Sequence, residues 1–285
     1  MNWKLLIILL IIFDILIWSW ILIGPLTSSQ DLSIYFLDVG QGDSELIKIG
    51  DVDILVDGGP DAKVLESLSK VLPISDRYLD LVILTHPHLD HFGGLIDILK
   101  NYQVGYLLDS GFGHDTQSYI YFKKEVTEKD IKHLALREGD KIKYKDLEFD
   151  IISPTINARP VKAKDIHNNT ITFLLKKENF KGIFTGDINF KIENNLLNKY
   201  KEQLTANLLK VSHHGSDKST SNNWLKIVKP QISIIGVGKN NRYGHPKEAL
   251  LSRLQNSGIK IFRTDQDGTI KVSLIDGKLK VAQTR

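Results

Sequence analysis

Cysteine is absent from this chain. It therefore has neither a disulfide framework nor a thiolate metal site, and any metal must be held by His, Asp or Glu. Charge of one sign is not in large excess either. The formal balance of +3 over 285 residues is mildly basic, short of the lopsided composition of a nucleic-acid coat protein. Aromatics make up only 8% and do not cluster beside the basic loops, so single-strand binding through a stacking platform is not legible. Internal repeats and low-complexity linkers are missing from residues 31–285, which read as one domain. With 42% apolar residues in the chain, that domain can bury a substantial core.

One long hydrophobic run is present. LLIILLIIFDILIWSWILI, Leu5 to Ile23, has about the length needed to cross a bilayer, and only Asp14 interrupts it. That aspartate costs roughly 2.5 to 3.5 kcal/mol at a helix centre, which the surplus of Leu and Ile outweighs. Lys4 precedes the run while Gln30 and Asp31 follow it, a bias that leaves the N-terminus in the cytoplasm and the remainder outside. Residues 1–30 are thus expected to be a membrane anchor and linker, with one transmembrane helix in the cell membrane and residues 31–285 extracytoplasmic. A cleaved signal peptide, giving a secreted protein, is the rival expectation, because GPLTSSQ offers small residues. The run is longer than the usual apolar region of a signal, however, and no A-x-A site follows it.

After a short linker, SIYFLDV, SELIKI and VDILVDGG read as strands, and DAKVLESLSKVL has helical spacing. LDLVILT is a continuous apolar run, as expected of a strand covered on both faces, and FGGLIDILKNY reads as the helix after it. VGYLLD follows as a strand, QSYIYFKKEVTEKDI as an amphipathic helix and HLALREGDKIKYKDLEFDIISP as short strands. NTITFLLKKENFKGIFTGD has the pattern of a hairpin, and the strand in LLKVSHHGS stops at a histidine pair. A helix around Trp224, the strand QISIIGV, the loop GKNNRYGHP, a helix from about Lys247 to Leu254, and the strands IKIFRT and TIKVSLIDGKLKVAQ close the chain. This order implies sheets covered by helices, an α/β (α+β) layered sandwich.

Polar packets stand at strand ends. Six of the nine histidines fall in three of them, the densest being HPHLDH directly behind LVILT. Alternation along an extended chain puts His86, His88 and Asp90 on one side, and a tight turn into a glycine-bearing helix aims His91 at the same space. Imidazole and carboxylate are good ligands for Zn²⁺ or Mn²⁺, and such a crowd is unfavourable without a cation or water between its members. Asp187 in GIFTGDI ends a second apolar strand; alone it is a turn aspartate or a helix N-cap, GDINF being an ordinary helix start. His213 and His214 in KVSHHGS end a third strand, and His245 sits in YGHP.

The ordered set FLDVGQGDSELI, LVDGG, LTHPHLDHFGG, NNTITFLL, FTGD, LKVSHHGS and YGHP resembles the metallo-β-lactamase fold hydrolases. Within them it is similar to the C-terminal domain of ComEC, the competence DNA-uptake membrane protein. HxHxDH marks the superfamily and the ordered set marks the branch, over nearly the whole chain after Ile34. The resemblance implies a four-layer αββα sandwich with a one- or two-metal site at one edge. It implies that His86 and His88 hold the first metal, Asp90 and His91 the second, and that Asp187 bridges them. Either His213 or His214 would supply one further ligand, and alternation along the strand does not choose between them. Asp57 matches an early aspartate that orients ligands by hydrogen bonding; without that match it is a turn residue before Gly58 and Gly59. Where many members carry a histidine ahead of the hairpin, this chain reads IHNNTITF, with His167 near the place and Asn169 aligned, the latter expected, like Asp57, to support the ligands by hydrogen bonding. That departure leaves a hard-ion or single-metal site open. The multi-helix channel of ComEC is replaced by one apolar segment, so DNA transport does not carry over.

A divalent pair about 3.5 to 4 Å apart can acidify a shared water and clamp the oxygens of an in-line displacement. The loops near the packets carry Lys218, Lys239, Arg242 and Lys247 to meet an anion, and Ser216, Ser219, Asn240 and Asn241 to bond phosphate oxygens, although all are also ordinary solvated-loop residues. Asp90 and His245 are the candidates for acid–base work, with packing before Pro246 the alternative for His245. The expectation is an exported or anchored metal-dependent phosphodiesterase, a nuclease on single-stranded or damaged DNA, with a DNA-uptake channel as candidate partner. Two competing expectations are an esterase on cell-envelope phosphoesters and a non-catalytic DNA-binding or channel-partner module with a structural metal.

Overall fold

Alternating buried and half-buried positions in LSIYF form β1 (Leu32–Phe36), which pairs antiparallel with β2 (Glu45–Ile49) and with β14 (Thr269–Ile275) from the far end of the chain. A turn leads into β3 (Val52–Val56), and helix α1 (Lys63–Ser69) connects it to the apolar run of β4 (Tyr78–Leu84). Helix α2 (Leu89–Asn101) then leads to β5 (Gln103–Asp109), and α3 (Gln117–Glu128) to β6 (Lys132–Ala135). Helical crossovers return the chain in the same direction, and β3 through β6 pair parallel. With β15 (Lys278–Thr284) at one edge, the sheet has the order β15–β14–β1–β2–β3–β4–β5–β6.

The second sheet contains β7 (Lys141–Tyr144), β8 (Leu147–Ser153), β9 (Thr172–Lys177), β10 (Phe180–Phe184), β11 (Leu208–Lys210), β12 (Ile232–Ile235) and β13 (Lys260–Arg263), in the order β13–β12–β11–β10–β9–β8–β7. Helices α4 (Phe190–Tyr200), α5 (Asn222–Val228) and α6 (Glu248–Asn256) link β10 to β13, which also pair parallel. Between the sheets, Ile34, Ile47 and Ile83 of the first meet Phe149, Phe173 and Phe184 of the second. Phe92, Leu95, Ile98 and Phe122 seat α2 and α3 on the outer face of the first sheet, and Leu196, Trp224, Val228 and Leu250 seat α4, α5 and α6 on that of the second. Each such side chain contributes about 1.5–3 kcal/mol by leaving water. Three apolar layers between helices, sheet, sheet and helices make the mixed α/β two-sheet sandwich.

The computed structural model describes residues 12–14, 18, 31–159, 163–275 and 277–284, and the chain divides into two units, Met1–Asp31 and Leu32–Arg285. Apart from 12–14 and 18, the run expected to cross a membrane lies outside the described residues. Among the described residues no helix is long and apolar enough to do so.

Candidate metal centre

In parallel sheets, ligands gather beyond the carboxyl ends of the strands. The segments that follow β3, β4, β10, β11 and β12 meet there, and each brings one part of the site.

After β4 the chain turns directly into α2, whose N-cap is His88 in an extended conformation, φ −93° and ψ 146°. The N–H groups of His91 and Phe92 both donate to the His88 carbonyl, at 2.9 and 3.0 Å. The helix lies hard against the segment after β3 because two glycines allow it. A Cβ at Gly93 would stand 2.0 Å from the Pro60 carbonyl oxygen, and one at Gly94 2.1 Å from that of Gly58. This approach brings Asp57, at φ 57°, to His91. Asp57 accepts from the Thr85 N–H at 2.8 Å and from the Thr85 hydroxyl at 2.7 Å, and His91 Nδ1 donates to it at 2.7 Å. Because Thr85 gives its one hydroxyl hydrogen to Asp57, it accepts from His86 Nδ1 at 3.0 Å. His86 and His91 are thereby held with Nε2 facing the interior of the site.

Asp187 follows β10. The helix start in GDINF belongs to Asn189, whose side chain accepts from the N–H groups of Lys191 and Ile192 at 3.1 and 3.3 Å, so capping does not occupy Asp187. Around the single oxygen Oδ2 of Asp187 stand His91 Nε2 at 3.5 Å, His214 Nε2 at 3.7 Å, His86 Nε2 and His213 Nε2 at 3.8 Å, and His167 Nδ1 at 4.0 Å. These separations are at or beyond the limit of a hydrogen bond. They match instead the spacing of ligand atoms about bound ions, since bonds of about 2.0–2.2 Å put neighbouring ligands roughly 3–4 Å apart.

The cluster has two sides. On one, His86 Nε2 is 3.2 Å from His88 Nδ1, and the His167 ring lies 4.6 Å from that of His88 and 5.4 Å from that of His86. On the other, His214 Nε2 is 3.2 Å from Asp90, while its Nδ1 lies 2.9 Å from the Gly236 carbonyl oxygen and 3.3 Å from Asp43. Asp43 in turn is paired with the buried Lys210. Burial, reinforced by His91, pushes His86 well below the usual histidine range, and burial with His167 brings His88 down to about 4. Burial opposes the proton on His214 and His91 too. Asp43 and Asp187 nevertheless carry His214 up to about 10, and Asp187 and Asp57 hold His91 well above its usual value. Burial raises Asp90 and Asp187, yet His214 and His91 outweigh it and keep both carboxylates below the ordinary range.

His91 Nε2, His167 Nδ1 and Asp187 Oδ1 are buried with no hydrogen-bond partner among the described residues. Each such unmet group costs about 1–3 kcal/mol. Divalent cations on either side of Asp187 would satisfy them, and the nitrogen and carboxylate donors suit a transition metal. The ligand atoms of His86, His88 and His167 lie within 4.8 Å of one another, as do those of Asp43, His91, Asp187 and His214, and those of His167, Asp187 and His213.

Several expected residues take other places. Asn169 does not occupy the position of the missing histidine: its amide donates to the Arg159 carbonyl at 2.9 Å, and His167, on the 3₁₀ segment Ala163–Asn169, brings its ring to the cluster instead. His213 and His214 both face Asp187, because each has φ 52° and the alternation of a strand ends before them. Ser219 is consumed by the Ser212 and Ser216 carbonyls, at 3.0 and 3.3 Å, and Asn241 ties its own loop. Lys218, Lys239 and Arg242 are exposed, and His245 is half-buried with its ring 5.9 Å from that of His213. Thr85, Asp43 and Lys210 were not singled out from sequence. A lysine inside the apolar run NLLKV was the available signal, since a buried ammonium requires a partner.

Residues 37–239 match the sequence model of the Metallo-beta-lactamase superfamily. ComE operon protein 3 of Bacillus subtilis is 33% identical over 196 residues, 68% of this chain and 24% of that protein. The competence protein ComA of Neisseria gonorrhoeae is 28% identical over 259 residues, 90% of this chain and 34% of that protein. The chain thus spans about a quarter to a third of the length of these curated relatives. Among solved structures, the metallo-beta-lactamase fold protein YhfI from Bacillus subtilis superposes with a TM-score of 0.55 at 15% identity, over 82% of this chain and 96% of that one. This last likeness is one of fold.

Proposed function

The chain belongs to the metallo-beta-lactamase superfamily of metal-dependent hydrolases, and from that premise we propose that it is a phosphodiesterase that cleaves DNA outside the cytoplasmic membrane. The observation that carries the reading is the set of imidazoles about Asp187 Oδ2, at 3.5 to 4.0 Å, beside a loop that presents Arg242 and Lys239 to solvent. His86, His88 and His167 would hold one ion, Asp90, His91 and His214 a second, and Asp187 would serve both, with Zn²⁺ or Mn²⁺ suited to these donors. Such ions supply Lewis-acid stabilisation of phosphoryl charge and acidify water near neutral pH. Asp57 and Thr85 fix which nitrogen of His91 and His86 faces inward. His245, brought down to about 4 by burial and by His213, is neutral at pH 7 and would donate a ring N–H hydrogen bond to a phosphate oxygen rather than transfer a proton. Lys218, Lys239 and Arg242 would attract the strand, and the Gly236 carbonyl and Asp43 would orient His214 through its Nδ1. The competence names of the two relatives favour DNA as the anion and a DNA-uptake channel as partner, and residues 5–23 would anchor the domain to the membrane.

The test is turnover by the full chain with Mn²⁺ or Zn²⁺, beside a His88→Ala/Asp90→Ala variant, on labelled single- and double-stranded DNA and a chromogenic phosphodiester. DNA cleavage that disappears in the variant supports the proposal. Turnover of the small diester alone moves the reading to an envelope phosphoester, and metal retention without turnover of either moves it to a binding module.

A further inference from the structure

The loop between β12 and α6 carries an exposed ring close to the cluster. Tyr243 is 46% exposed. The Arg242 guanidinium lies over it, 4.9 Å from the ring centroid, and donates to its hydroxyl at 2.8 Å. From Tyr243 the rings lead inward. Its centroid is 5.9 Å from that of His245, which is 5.9 Å from that of His213, whose Nε2 is 3.8 Å from Asp187. The loop holds this arrangement through Asn241. Its side-chain oxygen accepts from the N–H groups of Tyr243 and His245, at 3.2 and 3.0 Å, and its amide donates to the carbonyls of Gly238 and His245, at 3.0 and 2.7 Å. Lys247 Nζ donates to the Tyr243 carbonyl at 2.7 Å.

A large ring left in water on a backbone tied down this firmly is pre-organised for contact. An aromatic face with a guanidinium against it matches a nucleobase and its neighbouring phosphate, because every base has a π-face and each phosphate carries a negative charge. We propose that Tyr243, flanked by Arg242, is the stacking platform for a base next to the phosphodiester held at the cluster, and that it selects single strands and frayed ends. In a duplex each base is already stacked and paired, so the platform is reached only after unpairing. The inference rests on the phosphodiesterase reading above and adds to it the residue that would discriminate between strands.

The experiment measures kcat/KM for cleavage at each linkage of a short end-labelled single strand by the full chain with Mn²⁺, then repeats it with one abasic site moved along the strand. Fluorescence anisotropy of the same strands in EDTA gives affinity without turnover. An abasic site beside the cut linkage is expected to lower cleavage there about tenfold, as losing one base–aromatic stack does. Tyr243→Ala should lower cleavage and affinity for the intact strand by a similar factor and stop distinguishing the abasic strand, while Tyr243→Trp should keep the distinction. An abasic penalty that survives in Tyr243→Ala, or a wild type that shows none, overturns the platform and leaves the phosphodiesterase reading standing. A wild type that cleaves no DNA overturns that reading, and the platform with it.

Discussion

His86, His88 and His167 stand on one side of Asp187, and Asp90, His91 and His214 on the other, and the two groups differ in what lies behind them. On the histidine side the rings face one another, and burial keeps His88 near 4 and His86 well below its usual range. Their lone pairs are free at neutral pH. On the carboxylate side Asp57 backs His91 at 2.7 Å and Asp43 lies 3.3 Å from His214. Both histidines therefore keep protons where a cation would sit, His214 up to about 10. The same ligand type is thus prepared for metal in one half and occupied by protons in the other, and uptake in the second half is coupled to proton release.

The largest effect should come from the group both halves share. Asp187→Ala is expected to lose metal from both, read by elemental analysis, with turnover of a phosphodiester down by more than about 100-fold, since even residues behind metal ligands are worth 10–100-fold. Retention of full metal content would break the comparison. Asp57→Ala should act more strongly on the carboxylate half, where Asp57 touches His91 directly: affinity there falls about 10–100-fold. The ion among His86, His88 and His167, which Asp57 reaches only through Thr85, is weakened less, and a competitive chelator titration separates the two.

Acidity sharpens the contrast further. For His88, brought down to about 4 in the folded chain against about 6.5 unfolded, the unfolded state binds more protons between these values, so stability is lost as pH falls from about 6.5 to 4. For His214, raised to about 10, the folded state binds more, so its contribution is present below about 6.5 and lost as pH rises toward 10. Metal-free protein in EDTA should therefore have its highest Tm near pH 6.5, with the alkaline loss reduced in His214→Gln. A Tm that keeps rising from pH 6.5 to 9 would assign the proton elsewhere. The smallest effect is expected at Asn169, where Asn169→Ala removes one hydrogen bond worth about 0.5–1.5 kcal/mol and leaves metal content intact; His167→Ala should remove one ion.

HPHLDH was legible because an apolar strand and two glycines frame it, and a packet so framed has only one place to point. The choice between His213 and His214 was not, because positive φ at both lies outside the alternation that a sequence pattern reports. His167 and Asn169 both stand near the missing histidine, and an irregular 3₁₀ segment decides that His167 brings its ring to the cluster; no periodicity records such a turn. Helix α4 escaped because FKIENNLLNKY is mostly polar; its start rests on Asn189, and Leu196 is among its buried anchors. Asp43 and Lys210 are 167 positions apart, so their pairing follows only from the stacking of the two sheets. The order of strands within each sheet was equally out of reach, with β14 returning to lie beside β1.

The most direct test is a crystal of the full chain grown with Zn²⁺, with anomalous difference density collected at the zinc edge. The account predicts two peaks flanking Asp187, one among His86, His88 and His167 and one among Asp90, His91 and His214. Density remote from Asp187, or no peak at all, would contradict it.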